Sequence, residues 1–364
     1  MIERFNKRIT ITPEILKKIS KLDEFKGLWH GGLKLSPQIL GRLKQSVIIT
    51  SSGSSTRIEG SQMNDEEVAR LLRGLKTTPP QGRDAEEVAG YADLLGRIFD
   101  IWKNFKISES HILQFHQILL NYSKKDQIHK GRYKQSDNIV VAKNDRGEEK
   151  IIFRPTKPYL VKKEMDDIIY WTNLMLAEDS LHPLLVMCNF VFEFLAIHPF
   201  IDGNGRLSRA LTNLLLLQSG YSYIPYISFE EIIEVKKIEY YLALRATQKN
   251  HKTDKEDIGP WIIFMLDVLT AQADKAERLM RSADPHKLLS ENQKQIYDLF
   301  DDNNELGVKE LDQLLGNQIP QVTIKQSLAR LVKLNLLERI GAGRGSRYKS
   351  AKIIIDGFNS ARKN

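Results

Sequence analysis

Residues 183–197, PLLVMCNFVFEFLAI, are apolar on every side of a helical wheel. A helix that is hydrophobic all round must be enclosed by other elements or by lipid. This run is shorter than a membrane span and contains Asn189 and Glu193, so it is expected to form a buried central helix. A second apolar run, ALTNLLLL at 210–217, follows closely. Between them lies HPFIDGNGRLSR, residues 198–209, crowded with groups that bind phosphate or move protons.

The rest of the chain reads as mainly helical. Apolar residues recur at three- and four-residue spacing over 37–49, 65–75 and 85–105, with TTPPQGR at 77–83 breaking the last two apart. Further helices are expected at 108–121, 158–177, 183–197, 206–218, 230–249 and 258–281. The exception is 131–154, GRYKQSDNIVVAKNDRGEEKIIFR, where two β-branched runs flank turn residues and predict a β-hairpin. RSADPHK at 281–287 reads as a linker. Beyond it come three short helical patterns and LLERIGAGRGSRYKS, the order of a winged helix-turn-helix.

The single cysteine, Cys188, sits inside the apolar run and reads as a small buried hydrophobe. Without a disulfide framework the chain fits a reducing, cytoplasmic setting. The first thirty residues carry charges throughout and have no signal-peptide core. No membrane association is expected. Residues 321–364 hold ten Lys or Arg against two acids, which accounts for the whole net charge of +8. The basic character therefore belongs to the C-terminal end.

The motif chemistry follows from residue types. Gly203 and Gly205 flank Asn204 just before a helix, where unpaired backbone N–H groups and partial positive charge favour a phosphate. Arg206 and Arg209 lie three apart, on one side of the first turn, and can clamp further phosphates. Asp202 is an acid among anion binders, which points to a divalent cation such as Mg2+ held with substrate phosphates. His198 is the neighbouring group that exchanges protons near neutral pH, and could accept one from an attacking hydroxyl.

The stretch HPFIDGNGRLSR resembles the signature of Fic-domain proteins, HxFx(D/E)GNGRxxR, at every specified position. That resemblance implies a mainly α, Fic-type helical bundle with a β-hairpin flap, and transfer of AMP from ATP to a Ser, Thr or Tyr hydroxyl of a target protein. It implies His198 as base, Phe200 as loop anchor, and Asp202 as the Mg2+ ligand. Gly203, Asn204 and Gly205 would cradle the phosphates, with Arg206 and Arg209 on the β- and γ-phosphates. EYYLALRATQ at 239–248 resembles the helix beside the base pocket, which would place Tyr240 against adenine. Gln248 stands there where relatives can have asparagine. Relatives that donate phosphate instead have lysine at the position of Gly205. SSGSSTRIEG at 51–60, alone a polar loop leading into a helix, resembles the inhibitory signature (S/T)xxxE(G/N) as Ser55, Glu59 and Gly60. In the family this glutamate occupies the γ-phosphate site on the second motif arginine, here Arg209. A tethered carboxylate can win such a competition through its high effective concentration.

These readings divide the chain into a helical N-terminal region with the inhibitory motif (1–105), a Fic catalytic core (106–280), a winged helix-turn-helix (286–350) and a C-terminal tail (351–364). Expected partners are a hydroxyl-bearing protein target, this chain itself as a target, and a second copy in a homodimer. The winged helix adds duplex DNA, through Lys325, Gln326 and Arg330 on its recognition helix and Arg344, Arg347 and Lys349 on its wing. A winged helix used for protein contacts is the alternative for that module. Two further functions stay open: a nucleotide-sensing DNA-binding regulator with little catalysis, and a transferase of another donor or direction, including AMP removal.

Overall fold

The computed structural model describes residues 2–32, 37–75, 77–138, 140–143, 149–282, 289–300, 303, 305–333, 336–341 and 343–351. The chain forms two compact units, one of residues 1–26 and 41–276, the other of 27–40 and 277–364. The expected division lies at residue 105. Residues on both sides of it pack into the first unit.

Along the chain, α1 (Ile2–Lys7), α2 (Pro13–Gly32), α3 (Pro37–Ile58), α4 (Asp65–Gly74) and α5 (Arg83–Ile101) lead into α6 (Glu109–Leu119). The hairpin of β1 (Val140–Lys143) and β2 (Glu149–Phe153) follows. Then come α7 (Pro158–Glu178), α8 (Pro183–Ile197), α9 (Asn204–Gln218), α10 (Phe229–Val235), α11 (Lys237–Gln248) and α12 (Gly259–Ser282).

In the first unit α8 is the central helix, with every residue from Leu184 to Ile197 buried between α7 and α9. Pro183 opens it and the His182 side chain accepts from Leu184 N, supplying an N-cap. Its two polar residues dock the N-terminal segment. Asn189 Oδ1 accepts from Arg8 Nε at 2.7 Å, and Asn189 Nδ2 donates to Phe5 O at 2.9 Å. Glu193 accepts from Arg8 and from Arg4 Nη2, the latter at 3.0 Å. Burial alone would raise the Glu193 carboxyl; Arg8, His251 and Arg4 together outweigh it and hold the group ionised. Glu193, His251 and Glu256 have a spacing that would suit a metal ion. Arg4 and Arg8 already donate to both carboxylates, so this cluster reads as an ion-pair hub.

Two expectations change. The helix expected at 230–249 breaks at Lys236, which caps both α10 and α11. Its apolar pattern does not keep one stripe: Ile232 and Ile233 are buried, whereas Val235 and Ile238 are 81% and 74% exposed. The helix expected at 37–49 instead runs on to Ile58. Ser51, Ser52, Ser54, Ser55 and Thr56 are all fully buried there. Small side chains allow that close approach. Ser52 and Thr56 hydroxyls are satisfied locally, by Ile48 O at 2.6 Å and Ser52 O at 2.9 Å, and Ser51 Oγ donates to Ser228 Oγ at 2.9 Å.

The hairpin forms as expected, antiparallel, with Val141 opposite Ile151 and Lys143 opposite Glu149. Its turn lies outside the described residues. Strand β2 packs beside α11. Among the described residues, no helix is long and apolar enough to cross a membrane.

The second unit contains α13 (Glu291–Asp298), β3 (Leu306–Gly307), α14 (Val308–Leu314), α15 (Gln321–Lys333), β4 (Leu337–Ile340) and β5 (Arg347–Ser350). The strands form an antiparallel sheet in the order β3-β5-β4. Its core includes Ile296, Phe300, Leu311, Ile324, Leu328 and Leu331. The three helices and the closing hairpin were legible in the sequence; the two-residue strand β3 was not. Residues 283–287 of the expected linker and 352–364 of the tail lie outside the described residues.

Candidate active site

Helix α8 ends at His198, whose backbone turns left-handed at φ 51°. Few residues without glycine's freedom adopt that conformation, and it recurs where function demands it. The turn throws the imidazole out of the helix line, half-buried. Its Nδ1 lies 3.4 Å from Leu195 O. A carbonyl only accepts, so Nδ1 carries the proton and Nε2 keeps a free lone pair. Burial first, then the Lys134 charge, pull the imidazole down to about 4, so it is neutral at pH 7.

The loop that follows is held from several sides. Phe200 is fully buried and stacks on His116 with ring centroids 3.7 Å apart. His116 Nδ1 accepts from Gly131 N at 2.9 Å, which leaves Nε2–H to donate to Asp202 O at 3.1 Å. Asn204 was expected to offer its amide to phosphate. Instead its Oδ1 accepts from Phe200 N at 3.0 Å and its Nδ2 donates to Phe200 O at 2.8 Å. The side chain thus closes the loop, with one Nδ2 hydrogen used on Phe200 O.

Gly203 caps α9 at φ 81°, and the helix starts at Asn204, two residues earlier than its sequence suggested. Both motif arginines are buried. Arg206 Nη2 donates to Asp202 Oδ1 at 3.0 Å, and its Nη1 lies 3.2 Å from Glu87 Oε2. Glu87 also accepts from Arg83 Nε at 2.7 Å. Neither Arg83 nor Glu87 carried a signal in the sequence.

Arg209 meets the other singled-out motif. Its Nε donates to Ser55 Oγ at 2.9 Å, and its Nη2 donates to Ser55 O and Glu59 Oε1, both at 2.8 Å. Burial opposes the guanidinium charge, and Glu59 more than offsets it, so the group is held further toward its protonated form. A Cβ at Gly205 would lie 2.2 Å from Glu59 Oε1, so the carboxylate rests directly over that glycine. Gly60, at φ 109°, turns the chain after the helix.

Among the described residues, Arg206 Nε and Arg209 Nη1 are buried without a hydrogen-bond acceptor. Buried donors are nearly always paired, so two unpaired ones at one helix start fit a phosphate-bearing ligand. Asp202 uses Oδ1 for Gly203 N and Arg206. Burial would raise its carboxyl, and Arg206 then lowers it below the ordinary value. The side chain is 35% exposed, beside a cavity of about 150 Å3 that Glu87 and Asp126 also line. One ionised carboxylate with access to solvent suits Mg2+ shared with phosphates.

Tyr240, expected against adenine, is only 4% exposed; Tyr241, Trp261 and Phe264 enclose its ring. Its hydroxyl faces Arg209 and Ser208. The accessible aromatic is Tyr241, 38% exposed, which the sequence did not single out. Gln248 is half-buried at the end of α11.

In the second unit, Lys325, Gln326 and Arg330 lie exposed on α15. Two of the residues expected on a wing are committed elsewhere: Arg347 Nη2 donates to Glu310 at 2.9 Å, and Lys349 pairs with Glu338 at 3.1 Å. The side chain of Arg344 lies outside the described residues.

Residues 106–216 match the Fic/DOC family. The protein adenylyltransferase fic-1 of Caenorhabditis elegans is 25% identical over 268 residues, 70% of this chain and 45% of that protein. The protein adenylyltransferase Fic of Drosophila grimshawi is 26% identical over 230 residues, 63% of this chain and 42% of that protein. The chain thus spans less than half the length of these curated relatives. A solved Fic family protein from Desulfovibrio desulfuricans aligns with TM-score 0.60 and 23% identity, covering 94% of this chain and 97% of that one. A solved portion of C. elegans Fic-1 aligns with TM-score 0.57 and 21% identity, covering 74% and 73%. At these identities the structural likeness bears on the fold.

Proposed function

We propose, from the match of residues 106–216 to the Fic/DOC family, that the chain transfers AMP from ATP to a hydroxyl side chain of a protein target. The observation that carries this reading is the site itself. A neutral imidazole with a free Nε2 stands beside a helix start with unpaired buried arginine donors.

In the step proposed, the target hydroxyl oxygen attacks the α-phosphorus of ATP. The new O–P bond forms as the bond to the β-phosphate bridge breaks, and pyrophosphate leaves. His198 Nε2 takes the hydroxyl proton. The α9 backbone N–H groups, Arg206 and Arg209 face the phosphates and stabilise charge as it shifts to the leaving group. Asp202 would hold Mg2+, which when bound neutralises phosphate charge. The half of the hairpin beside α11 offers strand edge to an extended target segment.

The same geometry supports restraint by Glu59. Its carboxylate sits on Arg209 and over Gly205, where a γ-phosphate would need to lie. ATP labelled on the α-phosphate and, separately, on the γ-phosphate tests both parts, with wild type and Glu59→Gly incubated with a whole-cell lysate. AMP transfer requires label from the α-position alone, increased by Glu59→Gly. Label from the γ-position would mean a phosphotransferase, and equal incorporation by both proteins would sink the restraint.

For the second unit a duplex DNA partner is proposed through α15. Its exposed face presents Gln321, Val322, Lys325, Gln326 and Arg330 and no acid. If phosphates are contacted, log affinity should fall linearly with log salt. Absence of binding at low salt would leave α15 to protein contacts.

A further inference from the structure

We propose that Lys134 is a positioning residue for the base: beneath the motif loop its ammonium fixes the peptide that carries His198 and opposes protonation of the imidazole. The proposal rests on the transfer reading only for the role of His198.

Lys134 is 3% exposed. Its Nζ donates to Ile197 O at 3.3 Å and to Asn138 Oδ1 at 2.7 Å. Its backbone N donates to Pro199 O at 2.9 Å, and Asn138 Nδ2 donates to Phe200 O at 3.0 Å. The carbonyls just before and just after His198 are therefore tied to one short segment, 134–138. This is the bracing that a left-handed non-glycine residue requires.

The charge adds a second effect. Asp137 and Glu164 are the acids that act on Lys134, and each is already engaged by another lysine, Asp137 by Lys157 and Glu164 by Lys252. Among the described residues no carboxylate lies within ion-pair distance of Lys134. A buried cation facing only neutral acceptors is costly. Burial, as the larger cause, brings the ammonium down to about 8, so it stays mostly charged at neutral pH. The charged groups acting on the imidazole are Lys134, Glu59 from α3 and Asp202 from the loop. Lys134 alone among them opposes protonation. Bound triphosphate would favour the imidazolium, which cannot accept a proton, and the lysine counters that pull.

The test uses the full chain labelled with 15N-histidine, as wild type, Lys134→Met, Lys134→Gln and Lys134→Arg. The His198 resonance, assigned by its loss in His198→Gln, is followed from roughly pH 4 to pH 8. The His198 midpoint should rise by about one unit in the Met and Gln variants and stay put in the Arg variant. In a Glu59→Gly background the acid limb of kcat should move with it, while KM for ATP changes by less than about twofold. An unmoved midpoint in both neutral variants overturns the proposal, as does an equal rise in the Arg variant. A shifted midpoint in a protein with no AMP transfer at any pH supports the tuning by Lys134 and overturns the transfer reading instead.

Discussion

A methyl group at Gly205 would meet Glu59 Oε1 at 2.2 Å and Arg209 Nη1 at 3.3 Å. Carboxylate and phosphate are therefore proposed to contend for the same few cubic ångströms above this glycine. Removing the carboxylate and filling the space should have opposite effects. Glu59→Gly is expected to raise AMP incorporation by about tenfold or more, the equivalent of some 1.4 kcal/mol of lost restraint. Gly205→Ala should also disturb the Glu59–Arg209 contact, yet leave incorporation low and weaken ATP binding. Measuring ATP affinity alongside incorporation separates the two, and activation by Gly205→Ala would refute the shared volume. His198→Ala should abolish transfer by either protein without changing ATP affinity, because the imidazole acts on the target hydroxyl.

At the scale of elements, the last turn of α3 is held by more than Glu59. Arg57 Nε and Nη2 donate to the two oxygens of Glu234 on α10 at 2.6 and 2.9 Å, and its Nη1 lies 3.0 Å from Asp65 at the start of α4. Gly53 makes room for that guanidinium, since a Cβ there would meet Arg57 Nη1 at 2.6 Å. Partly exposed ion pairs of this kind contribute about 1 kcal/mol. Arg57→Ala should therefore raise incorporation several-fold, less than Glu59→Gly does, and add nothing when combined with it. Additive activation in the double variant would mean that Arg57 acts elsewhere. None of this clamp was legible in the sequence. Helix α8 was, because an all-apolar run has one way to satisfy itself, and the motif loop was, because its residues are contiguous. The end of α3 reads as polar loop because burial there depends on small side chains rather than apolar ones. Lys134 and Glu87 escaped notice because their partners come from distant segments that only folding brings together. The loop-closing bonds of Asn204 were not legible for a related reason: its type suggests phosphate binding, and the backbone it also engages is placed only by the fold.

For the whole molecule, the site ties stability to pH. His116 is fully buried with its imidazole lowered to about 4, chiefly by burial, and His198 is lowered to a similar value. In the unfolded chain both return to the ordinary value of 6.5. Between those values the unfolded state binds more protons, so stability is full above the unfolded value and declines as pH falls toward the folded one. For His116 the loss is at most about 3 kcal/mol. The carboxylates Asp202, Glu193 and Glu256 are lowered with the help of their arginine partners against the effect of burial. Their contributions are lost only below the ordinary carboxylate range, which leaves the upper part of the window to the histidines. Urea unfolding at several pH values should show the free energy falling from pH 6.5 downward. His116→Gln keeps a donor and an acceptor but cannot titrate, and it should remove roughly half of that slope. An unchanged slope would mean that His116 is already protonated in the folded protein. It would then have two donors and no acceptor for Gly131 N, and the hydrogen bonds that set the motif loop would have to be reassigned.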